Sequence, residues 1–311
     1  MEHYVTLFDS LFLPQGLALH ASMQRHLSQY TLWVLCIDDQ THEVLSHLNL
    51  PNVRLLQLSQ LETDELLKVK SERSKGEYCW TITPFAPRFV FEADSSVQRV
   101  TYVDADLWFY KSPQPIFDEF ENSRKQVLIT DHAYAAEYDQ SAASGKFCVQ
   151  FMTFTRDGGE KVRKWWEERC IEWCHNRFED GKFGDQKYLD VWPTKFQDSV
   201  HILSKFQWTL APWNAIRFTA EQGIFFHFHG FRIINSETAD IGPYPIPRSY
   251  KKLIYQPYTK DINDAITLLA KNNYKIKSQT NTVKNSMWSW AAIQKRYSYF
   301  RDSLRGKIIQ F

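Results

Sequence analysis

Tyr102-Val103-Asp104-Ala105-Asp106-Leu107-Trp108 closes a run of β-branched and aromatic residues, Val97, Val100, Tyr102 and Val103, with two carboxylates one small residue apart. The run reads as a strand. A strand ending in Asp-Ala-Asp releases both side chains at the carboxyl edge of a sheet, the edge at which open α/β folds bind ligands. Two acidic oxygens at that spacing suit a hard divalent cation, which in turn suits a diphosphate. Such a pair also closes strands as a plain polar turn, with Asp104 capping the next segment, so its meaning depends on the rest of the chain.

Upstream, Tyr4–Phe8 reads as a short apolar strand, and Gln15 to His26 has helical spacing in Leu17, Leu19 and Met23. Thr31–Ile37 is continuous in Leu, Trp, Val and Ile, as a strand buried on both faces must be. Helix, strand and helix come next at Thr41–Leu48, Val53–Leu58 and Glu62–Lys70. This βαβαβα order predicts a mostly parallel sheet with helices on both faces. Glu77 to Glu92 reads as one more helix, which Pro84 and Pro87 must start or kink.

Downstream, Pro113–Phe120 suggests a short helix, and Val127–Thr130 and Phe147–Phe154 two more strands, with a small polar loop, Ala133 to Lys146, between them. Gly158 to Cys174 predicts a strong helix with Val162, Trp165, Trp166, Cys170 and Trp173 inward. After Ile241 the character changes. Pro243, Pro245 and Pro247 mark an irregular connector, and Asp261–Asn273 reads as an amphipathic helix. The expected division is therefore 1–240, a catalytic α/β domain, and 241–311, a connector with a helical C-terminal extension.

A chain of 311 residues with 43% hydrophobic residues builds a full core without disulfides. Lys and Arg total 37 against 36 Asp and Glu, a balance that offers no general argument for nucleic acid. The five scattered cysteines, and an N-terminus with acids but no basic n-region, predict a reduced cytoplasmic protein. Cys170-x-x-x-Cys174-His175 offers half a zinc site but has no second half at metal spacing, so the cysteines read as a helix face. Ser286 to Ile309 mixes aromatic and basic residues. It reads as a helix packed on the main domain or as an interfacial helix making peripheral contact with an anionic membrane.

Two further stretches carry chemistry. In Gly181-Lys182-Phe183-Gly184-Asp185-Gln186 the glycines permit a tight turn, leaving Asp185 as either a helix cap or a site carboxylate. His227 and His229 stand two apart near the end of a strand, Ile224–His229, and so face one side of it. Two imidazoles on one face favour ligation by at least one.

Together, YVDADLWF, FGDQKYL and FHFHG resemble the motifs of metal-dependent GT-A glycosyltransferases over residues 1–235, closest to bacterial envelope-polysaccharide enzymes and more distantly to glycogenin. The resemblance implies a Rossmann-like sheet, Mn²⁺ or Mg²⁺, a nucleotide-sugar donor and a glycan or lipid-linked acceptor. It places Asp104 and Asp106 on the metal, with His227 as the first choice and His229 as the second for completing the shell. It sets Asp185 and Gln186 beside the anomeric carbon, and Thr6 and Asp9 at the nucleotide base and ribose. Gln150 stands where relatives often contact the sugar through Asn, and Arg232 where they use a Lys-Pro-Trp element on phosphate. Nucleotidyl transfer or phosphate hydrolysis by the same acidic pair, and a non-catalytic sugar-binding module, are the alternatives.

Overall fold

The computed structural model describes residues 1–279 and 307–311. Strands β1 (Glu2–Phe8), β2 (Tyr30–Cys36) and β3 (Val53–Gln57) alternate with helices Leu13–His26, Asp39–Leu48 and Asp64–Lys70. The β4 strand (Arg99–Val103) comes next, and the chain leaves the sheet through Asp104–Asp106 into the short β5 (Leu107–Phe109). β6 (Val127–Asp131), β7 (Phe147–Thr155) and β8 (Val200–Ile202) complete a seven-stranded sheet in the order β3-β2-β1-β4-β7-β6-β8.

Every pairing in this sheet is parallel except those of β7, which runs against both β4 and β6. The reason is the connection. Between β6 and β7 the chain holds only single turns, the 3₁₀ turn Ala136–Tyr138 and the helix Ser141–Ser144, and no helix long enough to cover the sheet as a parallel crossover does. The predicted mixed α/β sheet is thus found, with one reversed strand.

Alternation along the strands sends side chains into two cores, one on each face. Val5, Val100 and Tyr102 join Phe89, Phe154, Trp166 and Trp192 on one side. Tyr4, Phe8 and Val103 join Leu17, Phe117, Phe151 and Phe225 on the other.

Pro84 and Pro87 divide the helix expected over Glu77–Glu92 into Lys75–Ile82, a 3₁₀ turn Thr83–Phe85, and Ala86–Ala93. Its start lies earlier than predicted because Ser74 and Glu77 form a reciprocal capping box. Helix Glu160–Glu172 buries Val162, Trp166 and Cys170, but also Arg163 and Glu167. Those two charges pair one turn apart, which lets them go inside, while Trp165 and Trp173 stay half-buried. Cys170 and Cys174 are fully buried free thiols.

Beyond residue 240 the chain shares its core with the sheet domain. Tyr250, Tyr255, Tyr258 and Ile262 pack with Trp108, Phe226 and Phe228. Helix Gln256–Lys271 docks along helix Leu13–His26, where Asp261 accepts from Trp108 Nε1 at 2.7 Å and pairs with Arg25. The expected basic aromatic helix falls largely outside the described residues. Where that segment is described again, Ile308–Gln310 is a strand on Thr238–Asp240 and not a helix. No helix among the described residues is long and apolar enough to cross a membrane.

Candidate metal centre and cleft

The acidic turn is fixed at both ends by backbone bonds. Asp104 N donates to Gln150 O of β7 at 3.1 Å, and Leu107 N to Asp104 O at 3.1 Å. The chain then pairs antiparallel with the strand Phe225–His227, putting His227 opposite Leu107, one residue past Asp106. A sheet register therefore brings together side chains far apart in sequence. His227 Nε2 lies 3.2 Å from Asp106 Oδ1 and 3.5 Å from Asp104 Oδ2.

Among the described residues these three form the one group of three or more carboxylate, imidazole or thiol ligands close enough to share a metal ion. Ligands about 2.1 Å from an octahedral ion stand about 3 Å apart, close to the separations found here. Two carboxylates with one neutral imidazole suit Mn²⁺ or Mg²⁺, so the donor set fits the ion the resemblance implies. His227 Nδ1 donates to Gln150 Oε1 at 3.0 Å, which turns Nε2 toward the carboxylates. Tyr102 donates its hydroxyl to Asp104 Oδ1 at 2.9 Å.

The electrostatics are mutual. Burial pushes the Asp104 carboxyl up against the pull of His227. Burial would raise Asp106 too, but the charge and hydrogen bond of His227, with Arg232 and His229 behind, take it down to about 2. Burial alone would lower His227, and Asp106 with Asp104 outweighs it and holds the imidazole well above its usual range. His229 goes the other way, down to about 4, through burial and the neighbouring charge of His227. It shares the cleft but stands outside the three-residue group, against the edge of Trp213 at 5.4 Å.

A cleft of about 760 Å³ opens over this group. Asp9 lies in its wall, accepting from Leu11 N at 2.9 Å and pairing with Lys75 at 2.5 Å. Asp185 and Gln186 reach the same cleft. Gly184, at φ +51°, makes the turn that delivers them, and Gln186 Nε2 donates to Ser144 O at 2.8 Å. Asp185 does not cap the 3₁₀ turn after it; Gln186 holds that position. Burial and the charge of Asp104 push the Asp185 carboxyl up to about 8.

Two of the expected residues do not line the cleft. Thr6 is fully buried and outside the cleft, two residues short of the strand end at which Leu7, Phe8 and Asp9 line it. Gln150 is also fully buried outside the cleft, spent on His227 and not exposed to a sugar. Arg232 does line the cleft. Sequence reading missed Lys75, Trp213 and Gln279, all cleft residues. The capping box at Ser74 was the available signal for Lys75, since it fixes the helix start. Gln279 had none, because its place depends on bonds to Leu11 O and Ile233 N from a distant loop.

No family model matches the chain. The uncharacterized protein YfnF of Bacillus subtilis (strain 168) is 33% identical to it over 249 residues, 75% of this chain and 82% of YfnF. The bifunctional glycosyltransferase WbbM shares the fold with a TM-score of 0.53 at 14% identity, over 88% of this chain and 51% of that one. The galactosyltransferase LgtC, solved with donor and acceptor sugar analogs, gives 0.51 at 15% identity, over 84% and 95%. On sequence the chain belongs to the family of YfnF, and its sheet, with the reversed β7 and the acidic turn after β4, is the GT-A fold of glycosyltransferases.

Proposed function

We propose that the chain is a metal-assisted glycosyltransferase. It moves a hexose-type unit from a nucleotide-diphosphate sugar, a UDP-sugar by default, to a glycan or lipid-linked acceptor in cell-envelope polysaccharide synthesis. The observation that carries this reading is the Asp104–Asp106–His227 group at the carboxyl edge of β4, inside the cleft. Mn²⁺ or Mg²⁺ held there supplies Lewis-acid stabilisation to a diphosphate leaving group.

The chain's own residues account for the rest. Gln150 keeps His227 in one tautomer and one orientation. Lys75 and Arg232 bring positive charge to the cleft that receives the phosphates. Asp185 and Gln186 supply a carboxyl and an amide dipole beside the anomeric carbon, where positive charge develops. The bond from that carbon to the diphosphate oxygen breaks and a bond to the acceptor oxygen forms. The acceptor's hydroxyl proton leaves on the departing nucleoside diphosphate. Because that proton acceptor lies on the leaving-group face, the expected outcome is retention of configuration, read from the product's anomeric proton by NMR.

Asp104→Asn and Asp106→Asn should each lower Mn²⁺-dependent turnover by about 10²-fold or more, with an unchanged circular dichroism spectrum. Turnover equal to the unsubstituted chain would refute the reading. Nucleoside diphosphate is the expected product; pyrophosphate or a monophosphate would point to nucleotidyl transfer or hydrolysis instead. A thermal-shift screen adds a binding readout. A nucleotide at a hundred times its Kd stabilises by about 2.7 kcal/mol, an effect that should need Mn²⁺ and vanish in Asp106→Asn.

A further inference from the structure

The cleft has two unlike sides. One carries the paired charges of Lys75 and Asp9. The other is aromatic: Tyr134 stacks on His132 at 4.6 Å, and Trp213 sets its ring edge-on to His227 at 5.4 Å. Tyr244 lines the same side, crossed at 5.1 Å by Tyr138. Tyr134 and Tyr244 are only half-buried.

Tyr134 also belongs to a second pocket, of about 390 Å³, walled by Asp131, Asp139, Lys146, Asp190 and Arg217. Backbone bonds fix this wall. Lys146 N donates to Asp190 Oδ1 at 2.8 Å, Ala133 N to Asp131 Oδ1 at 2.7 Å, and Arg217 Nη1 to Tyr134 O at 3.1 Å. Among the described residues, the other side-chain nitrogens of Arg217 make no hydrogen bond, its guanidinium lying over the Phe218 ring at 4.9 Å, and Lys146 Nζ approaches Asp131 at 3.9 Å and lies over the Phe147 ring at 5.5 Å.

We propose that the acceptor is an oligosaccharide of at least two units, with its terminal pyranose against Tyr134, Trp213 and Tyr244 and its next unit in the Asp131–Lys146–Arg217 pocket. This rests on the glycosyl-transfer reading and names the acceptor class for that site. A pyranose presents one face of C–H bonds, which packs on the electron-rich face of an aromatic ring. Its hydroxyls both donate and accept, and they match a pocket that holds carboxylates and cationic donors side by side. Three carboxylates against two cations disfavour an anionic phosphate there. Apart from the Tyr134 ring, the apolar part of the wall is Ala133 and Ala142 alone, little surface for an alkyl chain.

The test is saturation-transfer NMR and acceptor kinetics on the whole chain with Mn²⁺. The probes are methyl and octyl glycosides of glucose, galactose, mannose and N-acetylglucosamine, and their linear di- and trisaccharides. At least one disaccharide should bind, and show a KM, about tenfold better than its methyl monosaccharide. Arg217→Ala should bring that ratio close to one. A length-independent KM, a ratio insensitive to Arg217→Ala, or an octyl monosaccharide as good as the best trisaccharide would each overturn the proposal. Donor hydrolysis without acceptor reports the activity reading separately. Donor turnover without length preference sinks only the oligosaccharide assignment. Length-dependent binding without turnover of any donor sinks the transferase reading and leaves the saccharide site standing.

Discussion

Gln150 holds a position that determines much of the centre's chemistry. It is fully buried, and its Oε1 fixes the imidazole that completes the two-carboxylate group. Gln150→Leu keeps the bulk and removes that acceptor, freeing His227 to rotate. The expected result is a loss of about 10–100-fold in Mn²⁺ affinity by calorimetric titration, with modest change in the fold. An unchanged affinity would mean that the strand register alone orients the ring. At this scale the acidic pair and His227 were legible through their company, since an Asp-x-Asp alone also closes strands as a polar turn, while three ordered motifs together narrow its meaning. Thr6 and Gln150 were placed by motif position, which does not report burial, and the structure buries both outside the cleft.

Elements explain how residues so distant in sequence meet. The Asp-Ala-Asp turn is held by β7 on one side and by the Leu107–His227 register on the other. The turn bearing Asp185 depends on Gly184, whose φ of +51° strains any other residue. An added Cβ there would also sit 3.3 Å from the Trp80 ring. Gly184→Ala should cost about 1–2 kcal/mol in urea unfolding and lower kcat through displacement of Asp185. Full stability and full kcat together would show that this turn has slack. Strand and helix order was readable, since hydrophobic period and the Gly and Pro breaks report it directly. The reversal of β7 was not, because pairing direction depends on what the intervening loop can span. The burial of Arg163 and Glu167 was hidden for a related reason: a pattern of apolar residues cannot show that two charges satisfy each other inside.

At the scale of the whole molecule, pH tests how burial is distributed. His20 and His132 are buried with their usual pKa lowered, His132 to about 3, both chiefly by loss of water. Each is neutral in the folded chain while its unfolded counterpart takes up a proton near pH 6.5, so each lowers stability as pH falls below that value. Other groups work against this. Asp185, raised to about 8, and Glu167, raised to about 7 by burial, keep protons that the unfolded chain has lost, and so add stability as pH falls through the same window. His227, raised in the folded chain, adds no slope below pH 6.5, where both states carry its proton. His229, His3 and His26, also lowered, add to the loss, so the net slope sums opposing groups and a single histidine is read from a difference. His20 donates Nε2–H to Pro51 O at 2.9 Å, a bond that the amide of His20→Gln can remake. Measured by urea unfolding in EDTA from pH 6.5 to 5, the unsubstituted chain should lose up to about 1.4 kcal/mol per pH unit relative to His20→Gln. Parallel curves would mean that His20 takes up its proton without leaving the fold, and that the helix Leu13–His26 opens to water at that end.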